Sequence, residues 1–283
     1  CMILALEEDL DPASPVGSVY ALNEGAGMMV PVSEDCLSVI ETALEIRALS
    51  GGALDPAMYT LSKTWGFIGG NYRVPTAEEI AAQKPGDASD LILIDKDAKA
   101  VCVPAGIEVG FGAVAKGYTA QQVIDLMRDM GVKSAILSLG GNVQTLGDAK
   151  PGGAQWQVAV QDPKDTGSYV GILKTGETAV VTSGGYQRYF EQDGVTYIHI
   201  LDPETGCPVD NDLLSVTVVT ADGARADAFS TALFVMGKDR ALDLCAARDD
   251  LECVLITKDD RVIVTPGLRE CFTESGEGYT YEY

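Results

Sequence analysis

The chain has 283 residues, of which 46% are hydrophobic and 22% are charged, enough for a large core in one domain or two closely joined lobes. Acidic residues outnumber basic ones by 42 to 20, for a formal net charge of -22, and no basic run concentrates positive charge. We therefore expect no nucleic-acid partner, and we expect a phosphate-bearing ligand to need a divalent cation or oriented backbone N–H groups.

The first predicted element is a helix at the start, where the apolar residues of "CMILALEEDLD" recur at helical spacing directly after Cys1. A lipid-modified cysteine needs a flexible polar tether instead, so the pattern disfavours an anchor at Cys1. We expect the numbering to begin inside a helix, with an upstream segment removed. We also expect no membrane span, because no apolar run approaches the roughly 18 residues that a span needs.

Two long helices are predicted further along. The first lies within 33–52, with Ser33 as N-cap, a terminating Gly51-Gly52 pair, and an inward stripe of Val39, Ile40, Ala43, Leu44 and Ile46. The second lies within 115–131 and stops at Gly131; its expected inward residues are Val123, Ile124, Leu126, Met127 and Met130. It leads into 132–141, which we interpret as a buried strand closed by a double-glycine turn.

The remaining elements are mostly short strands, at 156–163, 171–185, 186–203, 215–223 and 251–267. Asp193-Gly194 is the signature of a two-residue hairpin turn. Strands and helices mix without regular βαβ alternation, so the sequence predicts an α+β fold with mixed or antiparallel sheets and packed helices.

The seven cysteines are scattered along the chain and form no C-x-x-C pair. This spacing argues against a zinc site and against a dense disulfide framework. An odd number of cysteines also leaves at least one thiol unpaired within the chain.

Glycine and small residues crowd 109–120, immediately before the second helix. Such a turn lets backbone N–H groups approach a phosphate at a helix N-terminus, and Lys116 adds a positive charge there. The segment fits neither a P-loop, because Gly117 and Tyr118 follow the lysine, nor a dinucleotide fingerprint. Taken alone, a tight strand-to-helix turn explains it equally well.

His199 is the single histidine and lies on the apolar strand of "YIHILDPETGCPV". In isolation it fits a core residue at least as well as a catalytic one. The aromatic residues of "SGGYQRYF" similarly fit either a sheet face or the packing of a planar ligand.

Three oxygen-bearing side chains share one face of the helix predicted in "ADGARADAFSTALFVMG": Asp227, Ser230 and Thr231. Separately, Asp227 is explained as a first-turn carboxylate and Thr231 as a hydroxyl that bonds back to a helix carbonyl. Their convergence is instead typical of a site for a hard cation such as Mg²⁺, completed by waters and substrate phosphates.

Six stretches in order resemble the successive motifs of the ApbE family of FAD:protein FMN transferases, and the resemblance as a whole covers about Ser14 to Gly237. They are "SGGALDPAM", "FGAVAKGYTA", "SLGGNVQTLG", "VVTSGGYQRYF", "YIHILDPETGCPV" and "ADGARADAFSTALFVMG". The resemblance implies an ApbE-like, T-fold-related architecture and an enzyme that binds FAD with Mg²⁺. It implies transfer of FMN through a phosphoester to a threonine of an acceptor flavoprotein; related members hydrolyse FAD to FMN and AMP.

The resemblance also implies roles for particular residues. It places the metal on Asp227, Thr231 and the backbone carbonyl of Ala113, with Ser230 nearby. It places Lys116 beside the flavin nucleotide and His199 near the reacting phosphate, with Asp227 and His199 as catalytic residues and His199 also in contact with the cofactor. The cofactor pocket is lined by Ala53, Leu54 and Asp55.

Three departures from the family pattern are visible. Gly110 and Gln121 stand where the family commonly has aspartate, Leu10 stands near a position where it has a flavin-side tyrosine, and the family's N-terminal strand has no counterpart in this numbering.

The alternatives to a transferase are a Mg²⁺-dependent FAD pyrophosphatase and an FAD-binding protein without turnover. Family members usually work outside the cytoplasmic membrane. We therefore expect this protein to be extracytoplasmic and anchored to the membrane through an N-terminal segment outside this numbering, with a cytoplasmic location as the alternative.

Overall fold

The computed structural model describes residues 1–150 and 152–283. Its helices are, in chain order, α1 (Met2–Leu10), α2 (Ser18–Glu24), α3 (Glu34–Leu49), α4 (Tyr59–Thr64), α5 (Ala77–Gln83), α6 (Ala115–Asp129), α7 (Gly223–Met236) and α8 (Lys238–Ala246). Its strands are β1 (Val30–Pro31), β2 (Leu93–Asp95), β3 (Ala100–Cys102), β4 (Ala135–Leu139), β5 (Asn142–Leu146), β6 (Trp156–Gln161), β7 (Tyr169–Thr175), β8 (Ala179–Gly184), β9 (Tyr189–Gln192), β10 (Val195–Ile198), β11 (Leu213–Thr220), β12 (Glu252–Thr257), β13 (Arg261–Val264), β14 (Phe272–Glu274) and β15 (Thr280–Glu282). Helices and strands alternate without a regular βαβ repeat, which confirms the predicted α+β class.

The chain forms two compact units, each built from two segments. The first unit comprises residues 1–115 and 188–210, and the second comprises residues 116–187 and 211–283.

The first unit combines helices with two small sheets. Strand β3 lies between β1 and β2 in an antiparallel sheet, and β9 and β10 form a separate hairpin. Asp193 and Gly194 take positive φ at its turn, as predicted. At the C-cap of α4, the buried Trp65 donates from Nε1 to the Gly206 carbonyl at 3.0 Å. The core around this ring includes Met58, Leu61, Phe67 and Leu201.

Helix α3 follows its sequence pattern closely. The Ser33 hydroxyl accepts from the Cys36 N–H at 2.9 Å, which confirms the predicted N-cap. The helix ends at Leu49, and Gly51 and Gly52 follow it at positive φ. Of the expected inward stripe, Leu44 is half-buried and the others are buried: Val39, Ile40, Ala43 and Ile46.

The second unit is built on a seven-stranded sheet in the order β15-β13-β12-β11-β8-β5-β4, antiparallel except for the parallel β13/β15 pair. One face packs against the three-stranded sheet β14-β7-β6, and Val180 of β8 belongs to that core. Ser183, an odd number of residues further along β8, faces α7 instead. The sheet therefore has an apolar side and a helix-covered side.

Two sequence-based expectations in this unit are wrong. Helix α6 buries Ile124 as expected, but it leaves Leu126 exposed at 40%, and Met130, directly after its end, is exposed at 76%. Its buried face runs from Ile124 back through Ala120 to Gly117. Its first turn, and not an apolar stripe along its whole length, makes the close contacts. The strand expected to be buried within 132–141 is β4, an edge strand with exposed and half-buried residues in alternation.

Within the described residues, no helix combines the length and apolar character needed to cross a bilayer. All seven cysteines carry free thiols.

Candidate functional site

Helix α7 carries the oxygen-bearing residues that stand out in the sequence. Asp222 caps its start by accepting from the Arg225 N–H at 2.8 Å. Asp227 and Ser230 are 4% and 0% exposed, and Thr231 is half-buried. The helix contacts β8 and β11, and its second and third turns carry a carboxylate and two hydroxyls.

Asp227 is a buried carboxylate with few partners. The Gly117 N–H donates to its Oδ2 at 2.8 Å, and Oδ1 accepts no hydrogen bond from any residue that the structure describes. Burial raises the pKa of Asp227 to about 6, against the opposing effects of the Lys116 charge and the Gly117 N–H. The side chain of Lys116 is itself exposed. The site therefore holds a negative charge that burial disfavours.

Two glycines allow α6 and α7 to approach closely beside this carboxylate. A Cβ added at Gly117 would lie 2.6 Å from the Cβ of Asp227, and one added at Gly223 would lie 2.7 Å from the Gly117 carbonyl oxygen. Real side chains do not tolerate such distances. The glycine-rich turn at 109–120 thus ends in a helix crossing, where the Gly117 amide is used to bind Asp227.

The hydroxyls on α7 are linked to the sheet through β8. Ser230 Oγ donates to the Asp227 carbonyl at 2.8 Å, and Ser183 Oγ lies 2.8 Å from Ser230 Oγ and 3.3 Å from Thr231 Oγ1. The residue that bonds back to a helix carbonyl is therefore Ser230, and Thr231 is directed toward Ser183. The oxygen-bearing face of α7 that the sequence predicts is thus supported by Ser183 on β8.

His199 belongs to the first unit and follows β10. Its backbone N–H donates to the Arg188 carbonyl, and its ring Nδ1 lies 3.1 Å from the same oxygen. A carbonyl only accepts, so Nδ1 carries a proton in this contact. Phe67 packs edge-on at 6.4 Å between ring centroids. The Arg188 carbonyl and the Phe67 ring thus fix the orientation of the imidazole.

The residues predicted to line a cofactor pocket also lie in the first unit. Ala53 and Leu54 are buried. The Asp55 carboxylate accepts from Arg47 Nε at 2.9 Å, from Ser89 Oγ at 2.6 Å and from the Ala57 N–H at 2.9 Å. The side chain of Asp55 thus holds the loop in place through three partners.

Ala113 is half-buried in the turn before α6, where the Val114 and Ala115 N–H groups both donate to the Phe111 carbonyl at 2.9 Å. The predicted site residues thus fall into two sets. Ala53, Leu54, Asp55, Ala113 and His199 belong to the first unit, and Lys116, Asp227 and Thr231 belong to the second.

Comparison with known proteins shows which family shares the six sequence motifs. The ApbE family model matches residues 2–255, most of the chain. The chain belongs to the ApbE family. A curated ApbE-family relative from Klebsiella pneumoniae (strain 342), an FAD:protein FMN transferase, is 35% identical over 266 residues, covering 92% of this chain and 81% of the relative. A second FAD:protein FMN transferase, from Treponema pallidum (strain Nichols), is 33% identical, with 89% and 74% covered.

Solved ApbE structures share the fold. The ApbE protein from Thermotoga maritima superposes with a TM-score of 0.88 at 30% identity, covering 96% of this chain and 90% of the other. The apo form of the flavinyl transferase ApbE from Pseudomonas stutzeri gives a TM-score of 0.84 at 30% identity, with 97% and 87% covered. The similarity confirms the predicted ApbE-like architecture.

The structure accounts for one departure from the ApbE pattern at Gly110. A Cβ at this position would lie 2.7 Å from Cδ2 of Tyr59, whose half-buried ring fills the space that a side chain would need. The expected aspartate cannot be accommodated here unless Tyr59 moves. Leu10, which also departs from the ApbE pattern, is buried at the end of α1.

Gln121, which departs from the ApbE pattern in the same way as Gly110, has a defined task in α6. Its Oε1 accepts from the Gly223 N–H at 3.1 Å, and its Nε2 donates to the Asp125 carboxylate at 3.2 Å. The neutral amide of Gln121 thus accepts from the first N–H of α7 and also donates to the neighbouring carboxylate of Asp125.

Sequence reasoning missed two supporting residues, Ser183 and Gln144. Gln144 Nε2 donates to the Gly117 carbonyl at 3.0 Å and so ties α6 to β5. Both residues lie inside quoted motifs, but their contacts join strands and helices far apart in the chain. Only strand register reveals which side of the sheet they face.

Proposed function

We propose that the chain transfers FMN from FAD to a threonine side chain of an acceptor flavoprotein, forming a phosphoester and releasing AMP. Membership of the ApbE family and the names of its curated relatives support this activity. The observation that carries the proposal is the buried, under-partnered carboxylate of Asp227, four residues before Thr231 on the same helix.

The donor types at this site fit Mg²⁺. Among the described residues, no three His, Cys, Asp or Glu side chains cluster as an all-side-chain metal cage. A single carboxylate with a hydroxyl and a backbone carbonyl suits Mg²⁺, which keeps waters and substrate phosphates as its other ligands. By the family resemblance, Asp227, Thr231 and the Ala113 carbonyl would hold the ion. When bound, the ion would offset negative charge on the FAD pyrophosphate.

The other predicted residues have complementary roles in this proposal. Lys116 adds a second positive charge for the phosphates. His199, whose Nδ1 is held by the Arg188 carbonyl, serves near the reacting phosphate as a proton-transfer or positioning group. Ala53 and Leu54 line the flavin pocket, and Asp55 holds their loop through Arg47.

The direct test is incubation with FAD, Mg²⁺ and an acceptor domain that presents a threonine, followed by mass analysis of the denatured acceptor. We expect the acceptor to gain FMN less water, and the same acceptor with alanine in place of its threonine to gain nothing. An ordered hydroxyl has the advantage of proximity over bulk water. Release of FMN and AMP with an unmodified acceptor would instead establish a pyrophosphatase, and intact FAD would establish a binding protein.

FAD affinity provides a second test. We expect a dissociation constant in the micromolar range, about -8 kcal/mol, that weakens when a chelator removes Mg²⁺. Equal affinity with and without chelator would contradict a bridging ion.

A further inference from the structure

A chain of hydroxyl groups runs from the backbone of α7 across to β8 and returns to α7. It begins at the Asp227 carbonyl, passes through Ser230 Oγ at 2.8 Å and Ser183 Oγ at a further 2.8 Å, and ends at Thr231 Oγ1, 3.3 Å from Ser183. Ser230 is fully buried, while Ser183 and Thr231 are half-buried. The open end of the chain is therefore Thr231.

Proton counting gives this chain one direction. A backbone carbonyl only accepts, so the single proton of Ser230 goes to the Asp227 carbonyl. The contact between Ser183 and Ser230 then uses the proton of Ser183. Ser183 has no second proton, so in its contact with Thr231 it accepts, and Thr231 donates.

The consequence falls on the lone pairs of Thr231. A neutral alcohol binds a cation through an oxygen lone pair and must direct its proton elsewhere. We infer that Ser183 is a positioning residue that takes the Thr231 proton and so presents the Thr231 oxygen to a divalent cation. This inference rests on the proposed function, because it assumes that Thr231 is a metal ligand. It also makes Ser230 a support for the site and not a ligand.

The test is the affinity for Mg²⁺, measured by calorimetry at a fixed concentration of ADP, which supplies a pyrophosphate without a flavin to transfer. In Ser183→Ala, Thr231 loses its acceptor, and we expect the Mg²⁺ dissociation constant to rise about tenfold to a hundredfold, the usual effect of removing a group that orients a metal ligand. We expect Ser230→Ala to weaken Mg²⁺ binding several-fold, because the freed proton of Ser183 can then turn toward Thr231.

Thr182→Val is the matched control. Thr182 precedes Ser183 on β8, faces the other side of the sheet, and its hydroxyl lies 2.8 Å from that of Thr217. This variant also loses one hydroxyl pair, so its unfolding midpoint should fall at least as far as that of Ser183→Ala, with Mg²⁺ affinity unchanged. A merely structural role for Ser183 would make the two variants alike in both measurements.

The outcomes separate the two proposals. If the parent protein binds no Mg²⁺ in the presence of ADP, the proposed metal site is wrong, and this inference falls with it. If the parent binds Mg²⁺ and Ser183→Ala matches it within twofold, Ser183 does not position Thr231, and the metal site stands. Unchanged affinity in Ser230→Ala overturns the direction of the proton chain.

Discussion

Two aspartates with buried side chains differ in how many hydrogen bonds their carboxylates accept. The side chain of Asp55 is 2% exposed, and its oxygens accept from Arg47, Ser89 and the Ala57 N–H. Asp227 is 4% exposed, accepts from one amide, and has its pKa raised to about 6 by burial. A carboxylate whose oxygens are all engaged stabilises the surrounding fold. A carboxylate left short of partners keeps its attraction for a cation and costs the protein stability.

The largest expected effect concerns Asp55. Asp55→Ala leaves the guanidinium of Arg47, whose side chain is 12% exposed, without its buried partner. Breaking a buried ion pair from one side costs about 3 to 5 kcal/mol, which we expect as the fall in the free energy of unfolding in urea. Asp90→Ala is the control, because Asp90 also pairs with Arg47 but is 59% exposed, and its loss should cost under about 1 kcal/mol. Equal losses in the two variants would remove the contrast between the aspartates.

For Asp227, we expect a substitution to reduce activity without reducing the stability of the fold. Asp227→Asn keeps the size of the side chain and removes the charge that Mg²⁺ prefers. We expect turnover of FAD to drop at least about a hundredfold, or about 3 kcal/mol, with partial rescue at high Mg²⁺. Asp222→Asn at the start of the same helix should stay near parent turnover, because asparagine also caps helices. Asp227→Asn turnover within about threefold of the parent at ordinary Mg²⁺ would show that Asp227 is not a ligand.

The same variant should gain stability when metal is chelated. Because the folded-state pKa of Asp227 is raised from 3.8 to about 6, the protonated form stabilises the fold at low pH, and that contribution is lost as the pH rises through about 6. Asp227→Asn does not titrate. Its free energy of unfolding should therefore exceed that of the parent by up to about 3 kcal/mol near pH 8 and by little near pH 4. Urea unfolding at both pH values in chelator measures this, and a deficit for the variant near pH 8 would contradict it.

The smallest expected effect comes from a third carboxylate, introduced at Gly110. Gly110→Asp must displace the Tyr59 ring, since even its Cβ would lie 2.7 Å from Cδ2. Overpacking of this kind costs about 1 to 3 kcal/mol in thermal or urea unfolding. Gly112→Asp, where an added Cβ meets nothing within 4 Å, should stay within about 0.5 kcal/mol of the parent. Tyr59→Ala should relieve the penalty of Gly110→Asp; if it does not, the ring is not the obstacle.

The sequence predicted those parts of the fold that depend on local pattern. The helix within 33–52 has an N-cap and an apolar stripe, the Asp193-Gly194 turn has its own signature, and the oxygen-bearing face of α7 follows from helical spacing. Each of these features is determined by residues a few positions apart.

The remainder depends on contacts between distant residues. In α6 the buried face was misjudged because Gly117 packs on α7, a contact that a search for large apolar residues ignores. Asp55 gives no sign in the sequence that Arg47 and Ser89 will meet it. Ser183 is 47 residues from Ser230, so no periodicity links the two hydroxyls.

The crossing of α6 and α7 at Gly117 and Gly223 has a consequence for how the molecule tolerates substitution. Neither residue has a side chain to contribute, yet a single added methyl group at either would push the helices apart and withdraw the Gly117 amide from Asp227. In a saturation mutagenesis screen for flavin transfer, alanine at these two positions should score as poorly as the loss of a catalytic group. A small, chemically silent replacement would therefore mimic an active-site lesion, and a variant classifier based on side-chain chemistry alone would pass it as benign.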